Sequence, residues 1–201
     1  QVWVEKTPLH LFQIDRIRSR FPSARFVHVV RDPRSTVAAI QRFAQHGWTT
    51  DLDETTSGVA AALGLASRLS RKLGTDTYLV VRYEDVVRAA AHELRRVAEF
   101  IGIDWSSSLL HPTLGGVPIR ANSAWLERRV LGEIHDRSLA PAAADLDART
   151  LSLVHARASG QARALGYDLP RVGVARAASI DAAERLRRLT AAVRARRKDS
   201  V

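Results

Sequence analysis

The 201-residue chain has no cysteine and no methionine. Without cysteine there can be no disulfide, no thiolate nucleophile and no cysteine-ligated zinc or iron–sulfur site, and the redox compartment is left open. The seven histidines are scattered rather than set at ligand spacing, so no metal is expected. Aromatic residues make up 6% and none interleaves with the basic carboxyl-terminal stretch, which disfavours stacking on single-stranded nucleic acid. No apolar run approaches the roughly 18–20 residues of a membrane span, and no basic-then-apolar leader opens the chain. The expectation is a soluble, cytoplasmic protein without a membrane span. The lack of methionine extends to position 1, and the first residues read like the inside of a strand with no cap before it. That predicts a piece of a longer protein, cut upstream.

Lysine is also scarce. Only Lys6, Lys72 and Lys198 occur among 31 basic residues. A lysine is a compact, movable point charge where an arginine is a planar fork, so Lys6 departs from the habit of the chain.

What is present suits one ordinary domain: 46% hydrophobic residues supply a core. The formal charge of +10 favours anionic partners. Residues 171–201 hold nine basic residues against three acidic, so the tail carries +6 and the body +4. The tail reads as a basic amphipathic helix with Ile180, Leu186, Leu189 and Val193 along one side, giving a body over 1–170 and an appendage over 171–201.

Along the body, Val2–Glu5 reads as a strand end. Pro8 suits the first turn of a helix, and Leu9, Phe12, Ile14, Ile17 and Phe21 recur at helical spacing. FPSA is a turn. RFVHVV is a strand whose unbroken apolar run suits a sheet covered on both faces. RSTVAAIQRFAQHG is a helix closed by Gly47, WTTDLDETTS a loop holding N-cap candidates, and GVAAALGLASRLSRKLG a helix. TYLVVRY is a third strand and VVRAAAHELRRVAEFIG a strongly patterned helix with apolar Val86, Leu94, Val97, Phe100 and Ile101. A loop-rich stretch follows Ile103, then a helix from about Pro141 to Leu165 closed by Gly166. Strands alternating with helices imply an α/β fold with a mainly parallel sheet flanked by helices.

In such a sheet, ligands gather beyond the carboxyl ends of the strands. Three strand ends carry polar residues: Glu5-Lys6-Thr7, Arg31-Asp32-Pro33 and Arg82-Tyr83-Glu84-Asp85. Each alone has an ordinary explanation as a solvated charge, a structural turn or a helix cap. Together on one edge, two cations and an aromatic ring suit a phosphorylated nucleotide, charge for phosphates and ring for base.

The blocks WVEKTPLH, FPSARFVHVVRDPRSTVAAI, YLVVRYEDV with a helix ending EFIGI, ANSAW and ALGYDLP resemble, in order, those of the sulfotransferases that use 3′-phosphoadenosine 5′-phosphosulfate (PAPS). IDWSSSLLHP is similar to the branch containing tyrosylprotein and many bacterial sulfotransferases. The resemblance spans about Val2 to Pro170. It implies a three-layer P-loop-like fold. It also implies transfer of a sulfuryl group from PAPS to an acceptor hydroxyl or amine, with the nucleotide donor and an unidentified acceptor as partners. By the same resemblance, Lys6 would contact the phosphosulfate and stabilise charge as the sulfuryl group departs. Arg31 would bind the 3′-phosphate, with Arg120 a further candidate there, and Tyr83 would lie near the adenosine. Asn122 and Ser123 would close over the donor, Ser123 touching the sulfuryl group.

The sequence departs from that family in three places. Ala39 stands where the family has a phosphate-binding serine eight residues after the strand-end arginine, with Ser35 the candidate substitute, which bears on donor affinity. Pro8 stands where the cytosolic branch has its catalytic histidine. His10 is not its equivalent, and on the helix it reads equally as a packed or solvated histidine and as a base. No GxxxxGK[ST]-like or RSGT-like stretch occurs, so the first strand, its phosphate-cradling loop and the general base are expected upstream of Gln1, and this chain alone is expected to turn over weakly or not at all. The alternative reading is a non-catalytic basic module that binds nucleic acid or an anionic surface through the tail. The pattern carries no information on the acceptor or the oligomeric state.

Overall fold

The computed structural model describes residues 2–44, 51–114, 116–118, 132, 134, 139 and 142–198. A 3₁₀ turn over Pro8–Gln13 leads into α1 (Ile14–Arg20), then β1 (Phe26–Val30), α2 (Pro33–Ala44), α3 (Leu52–Leu73) and β2 (Tyr78–Arg82). Next come α4 (Tyr83–Arg88), α5 (Ala90–Ile101), a 3₁₀ turn over Ser107–Leu110 and a short hairpin of β3 (Thr113–Leu114) with β4 (Val117–Pro118). A 3₁₀ turn over Ala142–Asp145, α6 (Ala148–Ala164) and α7 (Val174–Lys198) complete the order. This is the expected α/β arrangement with a small parallel sheet. No helix among the described residues is long and apolar enough to cross a membrane.

The chain folds as two compact units, residues 1–31 with 64–141 and residues 32–63 with 142–201. In the first, β1 and β2 pair in parallel from Phe26↔Tyr78 to Val30↔Arg82. Ile14, Leu69 and Tyr78 form its buried core, packed by Leu11, Phe26, Leu65, Leu73 and Val80. The Tyr78 hydroxyl lies 2.6 Å from His28 Nδ1, so the two polar groups of neighbouring strands satisfy each other. In the second unit, Val37, Ala38, Leu146 and Val154 form the core with Val59 and Leu151 against them.

The first expected strand is absent. Val2–Glu5 has no regular secondary structure and joins no sheet among the described residues, and Val2, Trp3 and Val4 are 50, 80 and 73% exposed. β-branched composition favours extended backbone, but a strand exists only where a neighbour supplies the hydrogen-bond ladder. Nor is β1 covered on both faces, since Val27 and Val29 are exposed among the described residues. The apolar run records β propensity here rather than two-sided burial.

Two helix boundaries also differ. α3 begins at Leu52, inside the expected loop, because Asp51 Oδ1 accepts from the Glu54 N–H at 2.9 Å while Asp53 and Glu54 sit in the favourable first turn. The long helix after β2 is two helices. Ala89 leaves helical geometry at φ −138°, ψ 50°, its N–H still bonded to Asp85 O and its carbonyl opening α5 through His92 N and Glu93 N. Run together, Val-Val-Arg-Ala-Ala-Ala contains no breaker, so the sequence has no mark of this step. α5 ends at Gly102, whose φ of 78° and N–H bond to Ala98 O close the helix in the left-handed conformation glycine favours. The helix expected from Pro141 starts instead at Ala148, where Asp147 accepts from the Thr150 N–H at 2.7 Å. The Gly47 closing the earlier helix lies outside the described residues.

α7 docks by charge. Its buried residue is Glu184, 1% exposed, held by the Arg149 guanidinium, whose Nε donates to Glu184 Oε2 at 2.9 Å. Asp181 accepts from Arg157 Nε at 2.7 Å, and Arg188 pairs with Asp53. Arg157 itself is nearly satisfied: Nη2 donates to Asp53 Oδ1 at 2.6 Å and Nη1 to Thr56 Oγ1 at 2.7 Å. Ile180 shares this inner side, whereas Leu186, Leu189 and Val193 stand outward at 63, 65 and 53% exposure. Ile180 therefore does not share the side of the other three, contrary to the expectation from the sequence. At about 100° per residue, positions 186, 189 and 193 lie about 240°, 180° and 220° around the helix from Ile180.

Burial lowers the His28 pKa to about 4, so the folded state holds the ring neutral. Below the ordinary value of 6.5, proton uptake favours the unfolded chain, and stability falls as pH drops from 6.5 toward 4. Urea unfolding across this window is expected to show a loss on the order of 3 kcal/mol from this residue, and His28→Gln should flatten that part of the profile.

Candidate functional site

Parallel pairing fixes what stands at the carboxyl edge of the first unit. Val30 and Arg82 are register partners at the ends of β1 and β2, so the next residues, Arg31 and Tyr83, leave the sheet side by side. The Arg31 guanidinium carbon lies 4.8 Å from the centroid of the Tyr83 ring, and both side chains are half-buried. A guanidinium over an aromatic face gains roughly 0.5–2 kcal/mol and has its plane fixed by the ring. Tyr83 is fixed in turn as the first residue of α4, with extended Arg82 as its N-cap at φ −83°, ψ 127°. One face of the ring is thereby taken by Arg31.

Lys6 sits in the irregular segment before the first 3₁₀ turn, not at a strand end. Its neighbours are held locally: Thr7 Oγ1 donates to Glu5 Oε1 at 2.5 Å, and His10 Nδ1 lies 4.0 Å from the same oxygen. Lys6 is exposed and makes no hydrogen bond or ion pair with any described residue. Lys72, by contrast, is bound to Asp15 at 2.8 Å, which holds the exposed Asp15 carboxyl below its usual range. His10 is a half-exposed side chain beside Glu5 and not a base aimed into a crevice. The structure thus brings Arg31 and Tyr83 together. Arg120, Asn122 and Ser123 lie outside the described residues.

Ser35 and Ala39 belong to the second unit, one turn apart on α2. There Asp32 is committed to Arg34, accepting from its backbone N–H at 2.8 Å and from Nη2 at 2.6 Å, and Arg34 also reaches the Asp168 carbonyl at 3.2 Å. The Asp32 carboxylate beside it raises the Arg34 pKa. Arg-Asp-Pro is thus in part a structural corner that ties α2 to the GYDLP segment, a link with no sequence signal because its partners stand 134 residues apart. The His28–Tyr78 pair was likewise unmarked, since both residues sit inside apolar runs.

The sequence profile described as the sulfotransferase family matches residues 1–107, just over half the chain. The chain belongs to the sulfotransferase family. Among curated proteins it is similar to protein-tyrosine sulfotransferase A of Caenorhabditis elegans, 27% identical over 109 residues that make up 53% of this chain and 29% of that protein. It is equally similar to protein-tyrosine sulfotransferase of Drosophila melanogaster, 27% identical over 111 residues, 53% of this chain and 22% of that one. This sulfotransferase chain therefore spans less than a third of the length of these relatives. Among solved structures its fold matches the sulfotransferase domain of the Synechococcus PCC 7002 olefin synthase, with TM-score 0.59, 22% identity, 85% of this chain and 60% of that one. It also matches the sulfotransferase domain of the curacin biosynthetic pathway, with TM-score 0.55, 16% identity, 85% of this chain and 64% of that one. At these identities the two domains establish the fold, α/β with a parallel sheet flanked by helices.

The geometry separates the two cations experimentally. Tyr83→Leu removes the ring under Arg31 and should cost about 1 kcal/mol in urea unfolding. Lys6→Ala, removing an exposed side chain without a described partner, should leave stability within about 0.5 kcal/mol of the parent.

Proposed function

We propose that this sulfotransferase chain binds the nucleotide donor PAPS and serves transfer of its sulfuryl group to an acceptor hydroxyl or amine. The observation that carries the reading is the Arg31 guanidinium stacked on Tyr83 at the adjoining ends of two parallel strands. A guanidinium whose plane is fixed by a ring presents its N–H fork to a phosphate with little rotamer freedom left to lose, and bidentate geometry matches two phosphate oxygens. Arg31 is assigned to the 3′-phosphate, and Tyr83, which holds Arg31, is assigned to the adenosine. Ala39 adds no hydroxyl to that phosphate, so Arg31 carries a larger share of the contact.

In the transfer, the bond between sulfur and the bridging oxygen of the 5′-phosphate breaks, its electron pair passing to the phosphate, while the acceptor oxygen or nitrogen bonds to sulfur and gives up its proton to a base. Charge therefore grows on the phosphate side as the bond lengthens. Lys6, an exposed ammonium with no described partner to compete for it, is assigned to stabilise that charge. Asn122 and Ser123 are assigned to close over the donor, Ser123 at the sulfuryl group, with Arg120 assisting at the 3′-phosphate. The proton-accepting group is not among these residues. The two similar curated proteins are named for protein tyrosine, and a phenol falls within the acceptor class proposed.

A non-catalytic basic module is the less favoured reading. Arg149, Arg157 and Arg188 are engaged by Glu184, Asp181 and Asp53, so part of the basic excess serves internal pairing.

Isothermal titration with 3′-phosphoadenosine 5′-phosphate tests the proposal. Saturable heat is expected, weakened at least tenfold by Arg31→Ala and several-fold by Lys6→Ala. No heat at millimolar ligand, or unchanged affinity in Arg31→Ala, would overturn it.

A further inference from the structure

α7 presents an outward seam that none of the preceding assignments uses. Ala175, Ser179, Ala182, Leu186, Leu189 and Val193 succeed one another at alternating spacings of four and three residues, and all six are exposed. That is the a/d spacing of a heptad repeat, which lines up on one side of a helix to meet another helix. Ala177, Ile180, Asp181 and Glu184, which are less exposed, and Arg188, which pairs with Asp53, occupy b, c and f positions. Ion pairs with Arg149, Arg157 and Asp53 hold α7 by its back, and the seam faces away from the α6 contact. A shallow open pocket takes in part of the seam, and among the described residues Ala178, Asp181, Ala182, Arg185, Leu186 and Leu189 line it.

The charge around the seam says what fits it. Arg176 and Arg185 are exposed at the flanking e and g positions, and Arg187 is exposed nearby. The acidic residues of this stretch, Asp181 and Glu184, are already committed to Arg157 and Arg149. A second copy of the same helix would bring no acidic e or g partner to these arginines, since positions 176, 178, 183, 185, 190 and 192 are all arginine, alanine or threonine. A bilayer would receive only three large apolar side chains over about five turns, the rest of the seam being alanine and serine. An acidic helix with its own apolar a/d positions supplies both missing terms, packing for Leu186, Leu189 and Val193 and carboxylates for Arg176 and Arg185.

We propose that α7 is a docking helix for an acidic amphipathic helix of a partner protein, which packs along the Ala175–Val193 seam. The inference rests on α7 alone and is independent of the donor site.

The probe is a fluorescein-labelled synthetic four-heptad peptide with Leu at a and d and Glu at e and g, titrated with the full chain and followed by anisotropy. Saturable binding is expected. Leu186→Ser with Leu189→Ser should weaken it more than tenfold, Arg185→Glu several-fold, and a peptide with Lys at e and g should not bind. The serine variant removes exposed side chains only, and an unchanged circular dichroism melt confirms that it folds. Failure of the Glu peptide to bind, or binding indifferent to the serine substitutions, overturns the proposal. So does self-association in sedimentation velocity that the same substitutions abolish, which assigns the seam to a second copy. Leucine-dependent binding to phosphatidylglycerol vesicles in place of the peptide assigns it to a lipid surface and overturns the proposal equally.

Discussion

The in-register parallel pairing of β1 with β2 is the constraint on which the candidate donor site depends. Because Val30 faces Arg82 across the ladder, the residues that follow have no freedom in where they start, and Arg31 and Tyr83 emerge as neighbours. A slip of one residue would turn every side chain of one strand to the opposite face and separate the guanidinium from the ring. The core beneath holds the register: Tyr78 is buried at the start of β2, is packed by Phe26 from β1, and shares its hydroxyl with His28 two residues farther along β1. Packing at one end of the strand pair thus sets which side chains meet at the other.

The second unit uses a different means of cohesion. α7 is fastened by Glu184, Asp181 and Arg188, not by an apolar face, and Arg157 joins α6, the start of α3 and α7 through five donated hydrogen bonds. Buried ion pairs seldom out-stabilise well-packed apolar residues, but removing one partner is costly because the other charge is stranded. Such a clamp fixes which side of α7 faces inward and leaves its leucines exposed. In an isolated chain, exposed leucines in heptad register carry a solvation cost, which is the physical reason to look for a helix that covers them.

Reading the sequence recovered the strands of the sheet and most helices, because FVHVV and YLVVR are β-branched runs between turn signals and the helices carry regular apolar spacing. The family followed from blocks in a fixed order, and Arg31 and Tyr83 followed from strand ends. Where the reading went astray, the deciding partner was distant or local alternatives were equal. Val2–Glu5 has the composition of a strand without a described neighbour to pair with. The start of α3 turned on which of several capping residues wins, and Asp51 does. The outward seam of α7 was misread because Ile180 was grouped with Leu186, Leu189 and Val193. Only the burial of Glu184 against Arg149, 35 residues away, shows which side faces in.

The central claim is that Arg31, held by Tyr83, recognises the 3′-phosphate. The most direct measurement is a thermodynamic cycle of affinities for 3′-phosphoadenosine 5′-phosphate and adenosine 5′-phosphate, each bound to the parent and to Arg31→Ala. The account predicts that the parent prefers the ligand bearing the 3′-phosphate by at least tenfold and that Arg31→Ala abolishes most of that preference. A preference of the same size in both proteins would contradict it.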